Sequence, residues 1–551
     1  MRHWKISHTA GSRESSGRAA IAQLITEKHY PLMLAALTAV AYFSALGGRD
    51  FWAPVEPRYG EIVRVMYATG EWIVPTVNGG LYTDKPILFF WLALSASKLF
   101  GGVSEWTVRL PAALGGIGFV LSSYYFGRDF FSARVGLIAA AILATTMRVI
   151  WESRWAHVDM VFCCCFMLTV YFAVRTFLGK DRGYGILYAY AFMGLAVLTK
   201  GLIGAVLPGL VFGAFMLVRR DWRMIGAAKL HLGIPLFLLF AAPWFYLVQQ
   251  ATDGRWLREF VYIHHLQRYT AGAGHRQPVY YYLTTLPADF LPWTIFAIPA
   301  LIARWPHRQA LKDASAQLCL CWFGAIFLFF TISDTKRDLY LLPLLPTVAI
   351  FVACYLEPLS PRRDGKSGDA RWLTAGFFGL LALAALLLPG VAWWLRPGAL
   401  LPLLPVSLVL TIGGALAAVF LLRNDFAQAT PTIVAMMTLS IVTVALWLFP
   451  YLEEFKSPRP FALEINRLVP RTEPLSIYAD SMHDFNYYAG REAIPVLASP
   501  AAVEGLLARA QTGFLLVRER DLGRLPMLSR TWVVASDGKG RMPWHLVEFK
   551  R

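Results

Sequence analysis

Acids and cations gather at five places in an otherwise apolar chain, and each place could do chemistry. Glu56, Arg58 and Tyr59 stand in PVEPRYGEIVRV (54–65), with Glu61 and Arg64 one helical turn apart. Tyr82, Thr83, Asp84 and Lys85 follow, directly before an apolar stretch. RWAHVD (154–159) puts Asp159 at the mouth of an apolar run, and Lys200 lies in LTKG (198–201). The stretch 250–288 holds Arg255, Arg258, His264, His265, Arg268, Tyr269, His275, Arg276 and the run Tyr280–Tyr282. SDTKRDLY (333–340) supplies Lys336, Arg337, Asp338 and Tyr340.

Several cations beside a few acids suit an anionic ligand, and at membrane depth the fitting anion is a phosphate attached to a lipid. Plainer readings stand beside this one. Asp159 could be a helix N-cap. Lys200 could snorkel to headgroups. Glu61 and Arg64 could form a surface pair, and Lys336 to Asp338 an ion-paired turn. The tyrosines could form an interfacial belt. Acids at membrane level nevertheless lean towards function. Asp84 and His265 are candidate ligands for a divalent ion if their loops meet, with ordinary hydrogen bonding the favoured alternative. The six cysteines lie in apolar runs without zinc-type spacing. Neither GxGxxG nor GxxxxGK[ST] occurs at a strand–helix junction, so nothing marks a nucleotide loop.

The elements that must position these residues are helices in a bilayer. Of the 551 residues, 57% are hydrophobic and 16% charged. Mean hydropathy is +0.49, more apolar surface than a water-soluble core can use. Periodicity and length predict about thirteen spans, at 30–47, 109–127, 134–150, 159–178, 185–199, 202–218, 231–249, 289–304, 315–333, 339–356, 373–394, 400–422 and 431–450. With the N-terminus cytoplasmic, every inside loop carries cations: Arg128 and Arg134; Lys180 and Arg182; Arg219, Arg220, Arg223 and Lys229; Arg304, Arg308 and Lys312; Arg362, Arg363, Lys366 and Arg371; Arg423. That bias accounts for most of the net charge of +17 without a nucleic-acid partner. The apolar stretch 86–102 is read as an interfacial or re-entrant helix, because counting it as a span would invert every later loop.

The predicted organisation is a cytoplasmic tail over 1–29, with no cleavable signal peptide. A membrane domain follows over 30–450, with long outer loops near 47–109 and 250–288. The last part, 451–551, is a small outer α/β domain. In it, LSIYAD (475–480), 494–497, FLLVR (514–518) and 532–535 read as strands and 500–510 as a helix.

EPRYGEI (56–62), GEWIVP (70–75), Lys85-Pro86, the Asp159 helix start, LTKG (198–201), the His265/Arg268/His275 loop and Lys336 with YLLP (340–343) together resemble the GT-C glycosyltransferases that use polyprenyl-phosphate sugars. Among these they are most similar to the transferases that place 4-amino-4-deoxy-L-arabinose on lipid A. The similarity runs from about residue 30 to 350, and it is the order and spacing of the motifs that is specific. The resemblance implies inverting transfer from undecaprenyl phosphate aminoarabinose to a lipid A phosphate. It also implies the periplasmic face of a Gram-negative inner membrane and resistance to polymyxin and other cationic peptides.

The resemblance implies Asp159 and Glu56 as the catalytic or sugar-orienting acids. Arg58, Lys85, Arg268 and Lys336 would bind phosphate, supported by Lys200 and Arg276, and Tyr59, Tyr82 and Tyr340 would hydrogen-bond phosphate or sugar. The expected partners are the lipid-linked donor, lipid A and membrane lipids, with a monomer the working expectation. One position departs from the pattern: the family has an aspartate directly before the glutamate, where Val55 stands here. In relatives acting on protein hydroxyls that acid is the candidate base. An ionised lipid A phosphate needs none. The alternatives are transfer of another polyprenyl-linked sugar to protein or glycan and, less favoured, transport of a lipid-linked sugar. A transporter would carry internal repeats and midplane polar sites, and neither is found in the sequence.

Overall fold

The computed structural model describes residues 27–181, 184–262, 276–304, 313–359, 370–480, 483–510, 512–525, 527–528, 531–538 and 543–550. Most of the expected N-terminal tail lies outside these residues, as do Arg182, His264, His265, Arg268, Tyr269, His275, Arg308, Lys312, Arg362, Arg363 and Lys366.

The chain is a polytopic helical membrane protein. Eight helices among the described residues are long and apolar enough to cross a membrane, or nine if one bent pair is a single span. Many of their side chains face outward: Trp394, Leu401 and Leu408 are 79%, 74% and 61% exposed, as lipid-facing residues should be. Several of the thirteen expected spans correspond to shorter helices. These include α1 (Tyr30–Phe43), α8 (Gly185–Lys200) and α9 (Ile203–Arg219).

Local chemistry sets the boundaries near the site. In α2 (Glu56–Thr69) the C-cap is Gly70 at φ 73, a left-handed conformation that favours glycine. Asn78 and Gly79, at φ 53 and 71, turn the two-residue hairpin between β1 (Thr76–Val77) and β2 (Gly80–Leu81). Within the expected interfacial stretch, helix α3 (Leu88–Leu99) has 12 residues. At about 1.5 Å per residue it is too short to cross a hydrocarbon core of about 30 Å. Helix α4 (Glu105–Phe130) starts four residues before the expected span, because Ser104 and Thr107 form a capping box ahead of the apolar run.

The expected span 134–150 is broken into α5 (Ala133–Thr145) and α6 (Met147–Ser153), bent by 65°. Thr146 is extended at the break, and its hydroxyl bonds back to Ile142 O. The freed Met147 N–H donates to Leu291 O at 3.0 Å. Helix α7 (Asp159–Phe177) packs against α4 so closely that a Cβ on Gly115 would lie 2.7 Å from Val161 N.

The C-terminal part holds a five-stranded mixed sheet ordered β4-β3-β5-β7-β6. Its strands are β3 (Leu475–Tyr478), β4 (Val496–Leu497), β5 (Thr512–Arg518), β6 (Trp532–Ser536) and β7 (Trp544–Lys550). β3 pairs parallel with β4 and β5, and β7 antiparallel with β5 and β6. Sequence reading missed β7, which pairs with β5 along its whole length. Helix α10 (His483–Ala489) leaves this sheet and packs on α2.

Candidate active site

Asp159 opens α7 and is 1% exposed. It is not the N-cap: Val158 holds that position, and the Asp159 carboxylate turns to two cationic partners. The Lys200 ammonium, at the end of α8, donates to Oδ1, and His157 Nδ1 faces Oδ2. Lys200 therefore does not snorkel outward: its side chain is 11% exposed and its ammonium lies 5.3 Å from the centroid of the Tyr340 ring. Three separate segments thus bring Asp159, Lys200 and Tyr340 to one mouth.

His157 carries this mouth in two directions. Its ring stacks on Tyr59 at 5.9 Å and 15°. Nδ1 also lies 3.4 Å from Glu152 Oε2. Burial alone would lower the imidazole, but the Asp159 and Glu152 carboxylates outweigh it and raise His157 to about 9. Arg148 continues the chain, with Glu152 Oε1 at 3.3 Å, Asp289 Oδ1 at 2.7 Å and a contact to Asp338.

The first-loop residues form the neighbouring wall. Tyr59 meets the Tyr82 ring at 6.4 Å. Arg58 pairs loosely with Asp84 at 3.4 Å, and Lys85 Nζ donates to Asp84 O at 3.0 Å. Tyr82 O accepts from Trp256 Nε1 at 2.8 Å, and Thr83 bonds Glu259 at 3.3 Å, which fixes this strand of loop against the region after α9. Lys336 is 4% exposed and donates to Ser333 O at 2.5 Å and Gln277 O at 3.3 Å, so it is held by backbone carbonyls rather than by Asp338. Arg276 pairs with Thr335 in an isolated bridge, beside an open cavity of about 460 Å³ lined by Arg276, Gln277, Pro278 and Asp334. Arg268 and His265 lie outside the described residues.

Two expectations change here. Glu56 does not face the mouth. It is fully buried, and its oxygens accept from Arg109 Nε at 2.7 Å, Arg49 at 2.5 and 3.1 Å, Trp52 N–H at 3.2 Å and Ala156 N–H at 2.9 Å. Burial would raise its carboxyl, but the two guanidiniums win and hold it down at about 2. Every lone pair is engaged, so Glu56 ties the first loop to α4 and to the segment before α7. The Glu61–Arg64 pair is not a surface pair either: Glu61 is buried, and both contacts measure 2.7 Å.

The metal expectation meets a different cluster. Among the described residues, the acids and histidines close enough to share an ion are Glu152, His157 and Asp159, each offering one atom within 4.8 Å of the others. Lys200 and Arg148 already engage the remaining oxygens of the two acids. Asp84 lies with Arg58 instead.

Sequence reading missed Arg49, Arg109, Arg148, Glu152, His157 and Asp289. Arg148 carries the clearest signal, a charge inside an apolar run.

Helices of this arrangement, with acids and cations gathered at one end and a C-terminal α/β unit, define a GT-C-fold integral membrane protein. The chain resembles the undecaprenyl-phosphate aminoarabinose transferases within that class. A family model described as dolichyl-phosphate-mannose-protein mannosyltransferase matches residues 84–247. The undecaprenyl phosphate-alpha-4-amino-4-deoxy-L-arabinose arabinosyl transferase of Edwardsiella ictaluri is 30% identical over 369 residues, 65% of each chain, so the match spans just under two thirds of that relative. The protein of the same name from Shewanella sediminis is 27% identical and covers 82% of this chain and 83% of its own. The crystal structure of ArnT from Cupriavidus metallidurans bound to undecaprenyl phosphate superposes with a TM-score of 0.77 at 24% identity, over 94% of this chain and 97% of that one. The Archaeoglobus fulgidus oligosaccharyltransferase shares the fold more distantly, at a TM-score of 0.53 and 13% identity over 92% of this chain and 72% of its own.

Proposed function

We propose that this protein is a glycosyltransferase that moves 4-amino-4-deoxy-L-arabinose from undecaprenyl phosphate to a lipid A phosphate. The observation that carries the reading is the convergence of Asp159, Lys200 and Tyr340 beside the Arg58–Asp84–Lys85 loop, in a chain similar to proteins named for that transfer.

An oxygen of the acceptor phosphate attacks the anomeric carbon as the bond from that carbon to the carrier phosphate breaks. The bonding electrons leave with the carrier phosphate, and configuration inverts. The acceptor oxygen is already ionised, so the step needs no general base. The work is to hold two phosphates in line and to neutralise the one that leaves. Arg58, Lys85 and Lys336 are assigned to phosphate, with Arg268 and Arg276 from the neighbouring loop. Lys200 is assigned to Asp159, whose carboxylate faces the positive charge that develops on the sugar ring or its ammonium. Tyr59, Tyr82 and Tyr340 line the sugar's path. Glu56 is assigned to loop positioning.

The same reading puts residues 1–29 in the cytoplasm, the membrane domain at 30–450 in a Gram-negative inner membrane and the unit at 451–551 in the periplasm, in a monomer. Adding an ammonium to lipid A weakens its attraction for cationic peptides, so this reading predicts polymyxin resistance in cells that express the protein.

The test is expression in a Gram-negative strain lacking its own aminoarabinose transferase, with mass spectrometry of lipid A. The adduct is expected with the parent and absent with Asp159→Ala and Lys85→Ala at equal expression. A membrane-inserted parent that forms no adduct despite a verified donor supply rejects this donor–acceptor pair.

A further inference from the structure

We propose that His483, carried by the C-terminal α/β unit, joins Arg58 as a second donor to a substrate phosphate, so that this unit completes the binding site. The inference rests on the reading of the first loop as phosphate-binding.

Helix α10 is built to reach the first loop. Asn486 Nδ2 donates to Asn78 Oδ1 at 2.9 Å, and the same Asn78 oxygen accepts from Ile494 N–H at 2.6 Å. The Tyr487 ring meets Phe51 at 4.9 Å. Phe51 in turn lies against Gly60 of α2, where a Cβ would fall 2.4 Å from its ring. Tyr488 OH accepts from Phe51 N–H at 2.6 Å and donates to Glu105 at 2.9 Å. These contacts fix the face of α10 against the helix that carries Arg58 and Tyr59.

His483 heads this helix, and its electrostatic neighbours are Arg58 and Asp480. Asp480 is already paired with Arg518 at 2.5 Å. Among the described residues, neither the buried Nδ1 of His483 nor the buried Nε of Arg58 has a hydrogen-bond partner. A buried nitrogen without a partner is costly, and a bound ligand can supply one. Arg58 has a further reason to accept a ligand: its contact to Asp84, at 3.4 Å, is long for an ion pair. Burial and the Arg58 charge lower His483 to about 4, so the ring is neutral at neutral pH and offers one N–H. An imidazole and a guanidinium, carried on two helices packed against each other and each leaving a buried nitrogen unpaired, fit a phosphoryl oxygen. The phosphate belongs either to the acceptor glycolipid or to the polyprenyl carrier.

The test measures binding to the full-length protein in detergent. The probes are diphosphorylated lipid A, the same glycolipid after phosphatase treatment, and undecaprenyl phosphate. His483→Ala is expected to weaken a phosphorylated probe about tenfold, the order of one hydrogen bond to a charged group. It should leave the dephosphorylated glycolipid unchanged, and His483→Gln, which keeps a donor, should restore most of the loss. An effect on lipid A assigns the acceptor phosphate, and one on undecaprenyl phosphate assigns the carrier; either supports the inference. Unchanged binding of both phosphorylated probes overturns it. So does an equal loss with all three probes accompanied by a fall in Tm, which marks a structural residue, and so does a parent that binds none of them. If the binding pattern holds while no sugar is transferred, the transfer reading fails and the phosphate site stands.

Discussion

Lys200 and His157 divide the Asp159 carboxylate between them, the ammonium on one oxygen and the imidazole on the other, where α7 and α8 meet. Removing one partner of a buried pair leaves the other charge uncompensated, at about 3–5 kcal/mol. Lys200→Met is therefore expected to lower Tm sharply, and Asp159→Asn with Lys200→Met to regain much of the loss. Transfer stays far below the parent rate in both variants. Thermal unfolding in detergent and lipid A mass spectrometry read the two effects separately. Recovery of activity in the double variant would remove Asp159 from the chemistry.

Glu56→Gln keeps the shape but leaves Arg49 and Arg109 without a counter-charge, again on the order of 3–5 kcal/mol. The expected result is less folded protein, with the surviving fraction binding undecaprenyl phosphate as the parent does. The sign with pH follows from the depressed carboxyl. Its stabilisation is present above the unfolded value of about 4.3 and is lost as pH falls towards about 2. Acid titration of the parent and variant by near-ultraviolet dichroism checks both statements.

Asp484 behaves in the opposite sense. Burial is the main cause, with Asp480 adding to it against Arg518, and the carboxyl rises to about 7. The folded form holds the proton more tightly than the unfolded chain. Its stabilisation is therefore complete below about pH 4 and is lost as pH rises through about 7. Each pKa unit is worth about 1.4 kcal/mol, giving an upper bound on the order of 4 kcal/mol. Asp484→Asn should flatten the pH dependence of the C-terminal unit and stabilise it at pH 8. Hydrogen exchange in β3 and β5 across that range reads the effect directly. An unchanged pH profile would show that Asp484 ionises freely.

Transfer is expected to survive chelation. Lys200, Arg148 and the His157 imidazolium already face the acids that could hold an ion. The measurement is turnover after dialysis against a chelator, with metal content determined in parallel. Loss of activity restored by a divalent cation would turn Glu152, His157 and Asp159 into ligands.

The sequence is legible where a charge interrupts an apolar pattern. Asp159 and Lys200 stand at the ends of such runs, and both reach the mouth. It is less legible where function depends on contacts between distant segments. Glu56 looks like a site acid until Arg109, 53 positions away, is found on its carboxylate. Arg148 interrupts an apolar run, but averaging hydropathy over a window passes over it, and the break at Thr146 is seen only when Met147 N–H is found on Leu291 O. Nothing near His483 marks it, because its neighbour Arg58 comes from the opposite end of the chain. The strand β7 follows a short polar stretch near the chain end and is recognised only by its pairing with β5.

The bond between Tyr488 and Phe51 joins positions 437 residues apart. A ribosome makes the first loop long before α10. The membrane helices can therefore be laid down and packed while the first loop still lacks its cover. The first loop gains its contacts to Asn486, Tyr488 and Ile494 only once the segment carrying α10 has been delivered and folded. On the phosphate-site reading, a chain cut before α10 inserts its membrane helices but leaves the first loop without its second phosphate donor.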